Sequence, residues 1–405
     1  MTLRKINLNG DFEMSKEKLN VELYDKLNKQ ASNLLPNYLM QAFVPDLFNK
    51  FNFSSSVDSD ECLWKYIDTM QEFRYEDNLN ILGNFINEDE LDVAEWLIKN
   101  VYKYTEKVFR RPSAARNSIT RSLISYRYVQ IIKKINNLQG GVLEIGPGSG
   151  YLGAMLAKSG VEYSSTDISQ AFYLYQNNLM HSLFGENFSE GAFLNKKAYD
   201  YRSKKIHHIP WWHYADIEFI LPDIDIVVVN HVLAEMHPNS LRFFLSRLVN
   251  KFKSRESRSP IYILVEGFGN ETFHKSNDII KLFYSFGIRL INNHAFYNGT
   301  KILSTISVFV ISENEINTTL VFPNIKYKSL LTFRSYIKAL FNYFNLNPIE
   351  YRYQKNMDLS IDNYLSYKVN PNININNLKS IFDGLESNYA GTEDEKFLSY
   401  CKGLL

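Results

Sequence analysis

The sequence has 405 residues, of which 45% are hydrophobic and 22% are charged, and its formal net charge is +1. This length and composition predict a globular protein of two or three folding units with a sizeable core, and the near-zero charge argues against nucleic acid as a partner. Two distant cysteines predict neither a disulfide framework nor a metal site, and no apolar run has the length of a signal peptide or membrane span, so we expect a cytoplasmic protein.

Residues 1–113 are predicted to form an α-helical leader domain, because they show helical spacing and no strand alternation. Ser15 is expected to cap a helix in which Leu19, Leu23 and Leu27 lie on one face. A second helix is expected to start in the acidic segment 87–90, since acidic side chains favour a helix N-terminus.

Residues 114–312 alternate between strand and helix patterns, which predicts a parallel sheet with crossover helices. Ser118 is expected to cap a long helix that ends at Gly140 and Gly141. Strands are predicted at 142–145, 162–166, 206–209, 224–230, 261–266, 288–292 and 302–311, with an irregular insertion at 185–205. Residues 313–405 are expected to be a mostly helical C-terminal extension, with helices near 330–344 and after 374.

A glycine-rich turn follows the first predicted strand, in the order Glu144-Ile145-Gly146-Pro147-Gly148-Ser149-Gly150. Glycines permit positive φ and let a ligand approach the backbone, while the N–H groups of the following helix attract an anionic or polar group. A turn that binds nothing is the alternative. The second acid, Asp167 at the end of strand two, favours a bound nucleotide-like cofactor.

The turn lacks the residues of two common nucleotide-binding motifs. A dinucleotide fingerprint requires glycine at the sixth position from Gly146, where Tyr151 stands, and the Gly-Lys-Ser/Thr of a P-loop is absent. The pattern Glu-x-Gly-x-Gly-x-Gly with an acid ending strand two instead resembles the class I S-adenosylmethionine (SAM)-dependent methyltransferases.

That resemblance implies a Rossmann-like seven-stranded sheet with a reversed last strand and SAM as the cofactor. It implies that the turn lies along the methionine part of SAM, with Glu144 nearby, and that Asp167 accepts from both ribose hydroxyls, for which a carboxylate is suited. Ile168 would lie against the adenine, and Asn230 would face the amino group of the cofactor through its side chain or carbonyl. A helix cap is the alternative role for both Asp167 and Asn230. The acid usual after strand three is replaced by Trp212, which either stacks on a ligand or belongs to the core.

The segment after strand four is the candidate catalytic region, since active sites lie at the carboxyl ends of parallel strands. If the segment is helical, His231 and Glu235 face the same way, and the carboxylate raises the basicity of the imidazole for general-base catalysis. Glu266 and His294 are rival bases, and His231 has a capping or packing role as its alternative. Strand four ends in Asn-His and not in an acid pair, which argues against a metal.

The helical leader, Trp-Trp before strand four and Asn-His-x-Leu-x-Glu-Met after it resemble sugar O-methyltransferases of bacterial surface-glycan gene clusters. This resemblance implies a hydroxyl of a nucleotide sugar or surface glycan, such as capsule or lipopolysaccharide, as the acceptor. Another small molecule, a protein side chain, or a non-catalytic SAM-binding partner subunit remain the alternatives.

Overall fold

The computed structural model of the protein describes residues 19–33, 55–68, 74–83, 86–194, 204–216, 219–256, 259–269, 274–298, 301–313 and 373–386. The helices are α1 Val21–Ser32, α2 Tyr75–Leu82, α3 Glu88–Phe109, α4 Arg116–Ile135, α5 Tyr151–Lys158, α6 Gln170–Phe184, α7 Trp211–Ala215, α8 Pro238–Ser254, α9 Ser276–Ser285 and α10 Ile375–Glu386. The strands are β1 Gly141–Ile145, β2 Tyr163–Thr166, β3 Phe188–Glu190, β4 Ile206–His208, β5 Ile224–Val228, β6 Ile261–Glu266, β7 Arg289–Asn298 and β8 Lys301–Ile311.

The strands form one sheet in the order β3-β4-β2-β1-β5-β6-β8-β7. Each pair from β3 to β6 is parallel, whereas β8 runs antiparallel to both β6 and β7. The α/β fold with a reversed last strand is therefore confirmed. The correction is one additional edge strand, β3, which lies in the segment expected to be an irregular insertion.

The long helix α4 begins at Arg116, so the expectation that Ser118 caps it is wrong. The carboxylate of Asp68 accepts from the backbone N–H groups of Asn117, at 3.2 Å, and Ser118, at 2.7 Å. A side chain from the leader thus satisfies the free donors of the first turn, which a local cap would otherwise do. The helix also ends earlier than expected, at Ile135.

One other helix start follows its sequence signal, whereas α1 begins later than expected, at Val21, after Leu19. The α3 helix begins with a capping box, in which the Asn87 side chain accepts from the N–H of Glu90 and the Glu90 side chain accepts from the N–H of Asn87. The α1 helix is capped by Asn20, while the predicted cap Ser15 lies outside the described residues. Of the two helices expected in the C-terminal extension, α10 is present, and the one near 330–344 also lies outside the described residues.

Buried hydrophobic side chains cover both faces of the sheet. Side chains alternate between the two faces along a strand. Val142 therefore belongs to a cluster shared with the leader helices, and Leu143 belongs to a cluster shared with α8 and α9. Because leader side chains such as Leu97 and Val101 belong to the first cluster, the leader packs directly on the sheet. Within the described ranges, no helix combines the length and apolarity needed to cross a bilayer.

Candidate functional site

The glycine turn joins β1 to α5 at the carboxyl edge of the sheet. Gly146, Gly148 and Gly150 have φ of +66°, +59° and +79°, so all three positions require the left-handed backbone that glycine favours. The N–H of Gly146 donates to the carbonyl of Thr166 at 2.9 Å, which ties the turn to the end of β2. A Cβ at Gly148 would meet nothing within 4 Å. At Gly148 the turn therefore presents its backbone to open space.

Asp167 lies beside this turn and is buried. Its carboxylate accepts from the backbone N–H of Ser169 at 2.9 Å and from Nε2 of Gln176 at 3.2 Å. Burial raises the pKa of Asp167 to about 6, although these hydrogen bonds and one from the backbone of Gly148 act in the opposite direction. Since Ser169 is the N-cap of α6, the alternative role of Asp167 as a helix cap does not hold.

Glu144 lies in β1, the strand next to the one that precedes Asp167. It is buried on the face of the sheet that the leader covers. It accepts a hydrogen bond from the hydroxyl of Tyr163 at 2.7 Å. Burial raises the pKa of Glu144 to about 7, the charge of Asp167 raises it further, and the Tyr163 hydrogen bond lowers it. Two buried carboxyl groups with raised pKa values therefore lie near the turn.

The leader covers one side of this site through residues 55–68. The hydroxyl of Ser149 donates to the carbonyl of Tyr66 at 2.8 Å. The hydroxyl of Ser169 likewise donates to the carbonyl of Ser55 at 3.0 Å. The leader is thus fixed both to the glycine turn and to the start of α6.

The tryptophan pair after β4 anchors the leader from another direction. The indole N–H of Trp211 donates to Oδ1 of Asn28 in α1 at 3.0 Å. The ring of Trp212 packs edge-on against Tyr24, with centroids 5.4 Å apart. Of the two roles considered for Trp212, packing in the core is the one observed.

The segment after β5 departs from the predicted helix. Residues 231–237 form a turn, and α8 begins only at Pro238, with the side chain of His237 as its N-cap. The expected helical pairing of His231 with Glu235 is therefore wrong. His231 itself has φ of +55°, and its N–H donates to the carbonyl of Gly267 at 3.1 Å.

The neighbour of the His231 ring is a cation. Nη2 of Arg121 lies 2.7 Å from Nε2 of His231. Burial lowers the pKa of His231 well below its usual value, and the charges of Arg121 and Arg74 lower it further. The imidazole is thus neutral, and its Nε2 lone pair accepts from the guanidinium. A carboxylate partner would have the opposite effect on the pKa.

Arg121 belongs to a buried polar network between α4 and the ends of β5 and β6. Its Nε lies 2.9 Å from Oε1 of Glu266 as an ion pair not aligned for a hydrogen bond, and its Nη2 donates to Ser304 at 3.0 Å. The hydroxyl of Ser125 donates to Glu266 at 3.0 Å. Burial raises the pKa of Glu266, and Arg121 opposes the shift. Glu266, a rival candidate base, is consequently held by this network.

Asn230 joins the same network and is not a helix cap. Its Nδ2 donates to Ser125 at 2.9 Å, and its Oδ1 accepts from the N–H of Glu266, also at 2.9 Å. Both ends of the side-chain amide therefore take part in the network. The other rival base, His294, lies within β7, and its side chain is outside the described residues.

Several residues of the site were not singled out from sequence. Arg121 and Gln176 stand on helices whose buried residues include other polar ones, such as Thr120 and Asn177, so no local sequence signal marks them. Gly267 and Gly269, with φ of +69° and +91°, lack room for a Cβ because His231 packs against both. Their spacing directly after β6 repeats, in a weaker form, the glycine signal of the first turn.

No protein-family model and no curated protein sequence matches the chain. Among solved structures, it is similar to magnesium protoporphyrin IX methyltransferase from Synechocystis PCC 6803 with bound SAM, at 15% identity over 56% of this chain and 100% of that one, with a TM-score of 0.32.

Two further similar structures are a TehB-like SAM-dependent methyltransferase from Corynebacterium glutamicum and a glycopeptide N-methyltransferase complexed with sinefungin. The former has 15% identity over 44% of this chain and 84% of that one, with a TM-score of 0.30. The latter has 10% identity over 47% and 87%, with a TM-score of 0.31. At these sequence identities and TM-scores, the assignment of function depends on the residues of the site.

Proposed function

We propose that the protein is a SAM-dependent methyltransferase that binds its cofactor along the turn after β1. The observation that carries this proposal is the open backbone at Gly148 with the buried carboxylate of Asp167 beside it. A cofactor with hydroxyl donors and an anionic or polar end fits such a pair, because the turn offers backbone N–H groups and the carboxylate accepts from hydroxyls.

The described residues fit SAM in the positions that the resemblance implies. Gly146, Pro147, Gly148 and Gly150 would hold the methionine part, with Glu144 behind them. Asp167 would accept from the ribose hydroxyls, which would favour its charged form and offset the effect of burial on its pKa. Ile168, which is half-buried, would lie against the adenine, and the carbonyl of Asn230 would face the amino group.

When bound, SAM supplies an electrophilic methyl group that needs no activation. The protein must hold the acceptor atom in line with it and exclude water. In the proposed enzyme, His231 orients the acceptor by donating from Nδ1, since its Nε2 is occupied by Arg121. A base role for His231 would require the contact with Arg121 to break. His231 and Glu235 do not share a helix face, so Glu235 does not assist His231 in the way that a helix would allow.

As acceptor we propose a hydroxyl of a sugar, in a nucleotide sugar or a surface glycan. The resemblance of the sequence supports this class. Another small molecule or a protein side chain remains the alternative acceptor.

Isothermal titration with S-adenosylhomocysteine (SAH), the demethylated cofactor, tests the cofactor site. We expect binding by the wild type and at least a tenfold loss in Asp167→Asn, since a hydrogen bond to a charged group contributes roughly 1.5–3 kcal/mol. Asp225→Asn is the matched control, because Asp225 is a buried acid at the opposite end of the sheet, where it accepts from the N–H of Gly140 at 2.5 Å. Binding of NAD in place of SAH would contradict the proposal.

The acceptor is tested with SAM carrying a labelled methyl group. We expect label to move to a nucleotide sugar or a purified glycan fraction. Transfer to protein alone would favour the protein side-chain alternative, and SAH binding without any transfer would favour the non-catalytic partner subunit.

A further inference from the structure

Gln176 connects the glycine turn to Asp167. Its Nε2 donates to the carbonyl of Gly148 at 2.7 Å and to the carboxylate of Asp167 at 3.2 Å. Because both of these partners accept hydrogen bonds, the NH₂ end of the amide must face them. The other end, Oε1, therefore faces Nε2 of His208, which lies 3.1 Å away.

Glu190 stands on the other side of His208, at the end of the edge strand β3. One of its carboxylate oxygens accepts from the hydroxyl of Tyr173 at 2.5 Å and from the N–H of Ala192 at 2.7 Å. The second oxygen accepts from the side-chain amide of Asn177 and lies 2.8 Å from Nδ1 of His208. Even without His208, three donors surround this carboxyl group, which suits a carboxylate that acts only as an acceptor.

His208 is therefore placed between two hydrogen-bond acceptors. Nδ1 faces the Glu190 carboxylate and Nε2 faces the amide oxygen of Gln176, while the ring is buried and stacks on Tyr173 at 3.7 Å between centroids. A neutral imidazole has one N–H and satisfies only one of these partners. Only an imidazole protonated on both nitrogens satisfies both.

We propose that His208 is a buried imidazolium that positions the cofactor site through Gln176. The Glu190 carboxylate neutralises the charge, and the Nε2–H of His208 fixes the amide of Gln176 in the orientation that holds Gly148 and Asp167 together. This inference rests on the proposed function, because the two groups positioned are those assigned to the cofactor. His208 touches neither cofactor nor acceptor, so it is a positioning residue.

The protonation state is tested by ¹⁵N NMR of the full chain labelled only at histidine, which limits the spectrum to its eight imidazole rings. His208→Gln identifies the signals by their loss. We expect ligand-free wild type to show both His208 nitrogens in the imidazolium range at neutral pH. A neutral tautomer would overturn the inference, and it would do so whether or not the protein binds SAH.

The positioning role is tested by titrating SAH into the variants. We expect His208→Gln to weaken binding about tenfold, as for loss of one charged hydrogen bond. His207→Gln is the matched control, since His207 is the next residue of the same buried strand, where its Nε2 contacts the carbonyl of Lys204 at 2.9 Å. Equal losses in both variants would overturn the positioning role.

Should His208→Gln fail to fold, Glu190→Gln removes the anionic partner at constant size. We expect one imidazolium signal of the wild-type spectrum, which this change then assigns to His208, to move to the range of a neutral ring, and SAH binding to weaken. Retention of both would overturn the inference. A wild type that does not bind SAH would instead overturn the proposed function, and the two failures are therefore distinguishable.

Discussion

Arg121 and His231 are 110 positions apart in sequence, yet the guanidinium of one donates to the imidazole of the other at 2.7 Å. The contact occupies Nε2 and places a positive charge beside a ring whose pKa burial already lowers. A histidine in this setting donates a hydrogen bond far better than it takes up a proton. The contact therefore changes the chemistry expected of the segment that follows β5.

Replacing His231 tests this change directly. We expect His231→Gln to retain methyl transfer within about tenfold, whereas loss of a general base typically lowers the rate by roughly 10²–10⁴-fold. The pH–rate profile of the wild type should show no limb near the usual histidine pKa that disappears in the variant. A hundredfold fall in kcat, together with loss of such a limb, would restore His231 as the base.

Adding a methyl group to the glycine turn should remove cofactor binding. Gly148→Ala places a Cβ in the open space at the turn and forces alanine to φ of +59°, a strain of roughly 1–2 kcal/mol. Gly160→Ala is a matched control, since Gly160 has φ of +78° and equally open surroundings but lies at the other end of α5. Both variants should lose similar thermal stability, and only Gly148→Ala should lose SAH affinity. Equal affinities would place the ligand elsewhere.

Cofactor affinity should depend on pH through Asp167. The pKa of Asp167 in the ligand-free protein is raised to about 6, and ribose hydroxyls would bind its ionised form. Proton and ligand then compete, so the Kd for SAH should be constant above the pKa and rise about tenfold per pH unit well below it. Calorimetric titration between about pH 5 and 8 measures this dependence. Asp167→Asn should bind weakly at every pH, and an unchanged slope in that variant would assign the titration to another group.

Glu144 should lower the stability of the ligand-free protein at alkaline pH. Its folded-state pKa is raised from 4.5 to about 7, so the protonated form stabilises the fold fully below the unfolded pKa, and this contribution is lost as pH rises through the folded pKa. Glu144→Gln keeps an acceptor for Tyr163 and cannot ionise. We expect the variant to gain on the order of 2–3 kcal/mol relative to wild type near pH 8 and little near pH 5, measured by urea unfolding. A gain of equal size at both values would contradict the ionisation argument.

The buried ion pair of Arg121 with Glu266 should be costly to break from one side. Glu266→Gln leaves a buried guanidinium without its counter-charge, for which we expect a loss of about 3–5 kcal/mol in the free energy of unfolding. Glu95→Gln, which breaks the surface pair with Lys99, is the control and should cost under about 1 kcal/mol. Similar losses in the two variants would indicate that Glu266 is not paired in solution.

The fold was predictable in outline because hydrophobic periodicity is a local property. Strands β5, β6 and β8 and the start of α3 lie where their sequence patterns place them. The prediction failed where a distant group replaces a local signal. Ser118 resembles a cap, but Asp68 already satisfies the N–H groups at that end. The three-residue strand β3 lacks enough alternation to be seen, and only pairing with β4 makes it a strand.

The features of the candidate site were also predictable only where contiguous residues determine them. The turn from Gly146 to Gly150 and the acid at Asp167 were found from sequence, since their backbone angles and strand-end position follow from contiguous residues. The partner of His231 was not, because a buried polar group must be satisfied by whatever side chain the packing brings to it, and sequence distance carries no record of that choice. Contiguous residues alone determined the glycine turn, whereas the tertiary structure decided that His231 faces an arginine and that His208 lies between two acceptors.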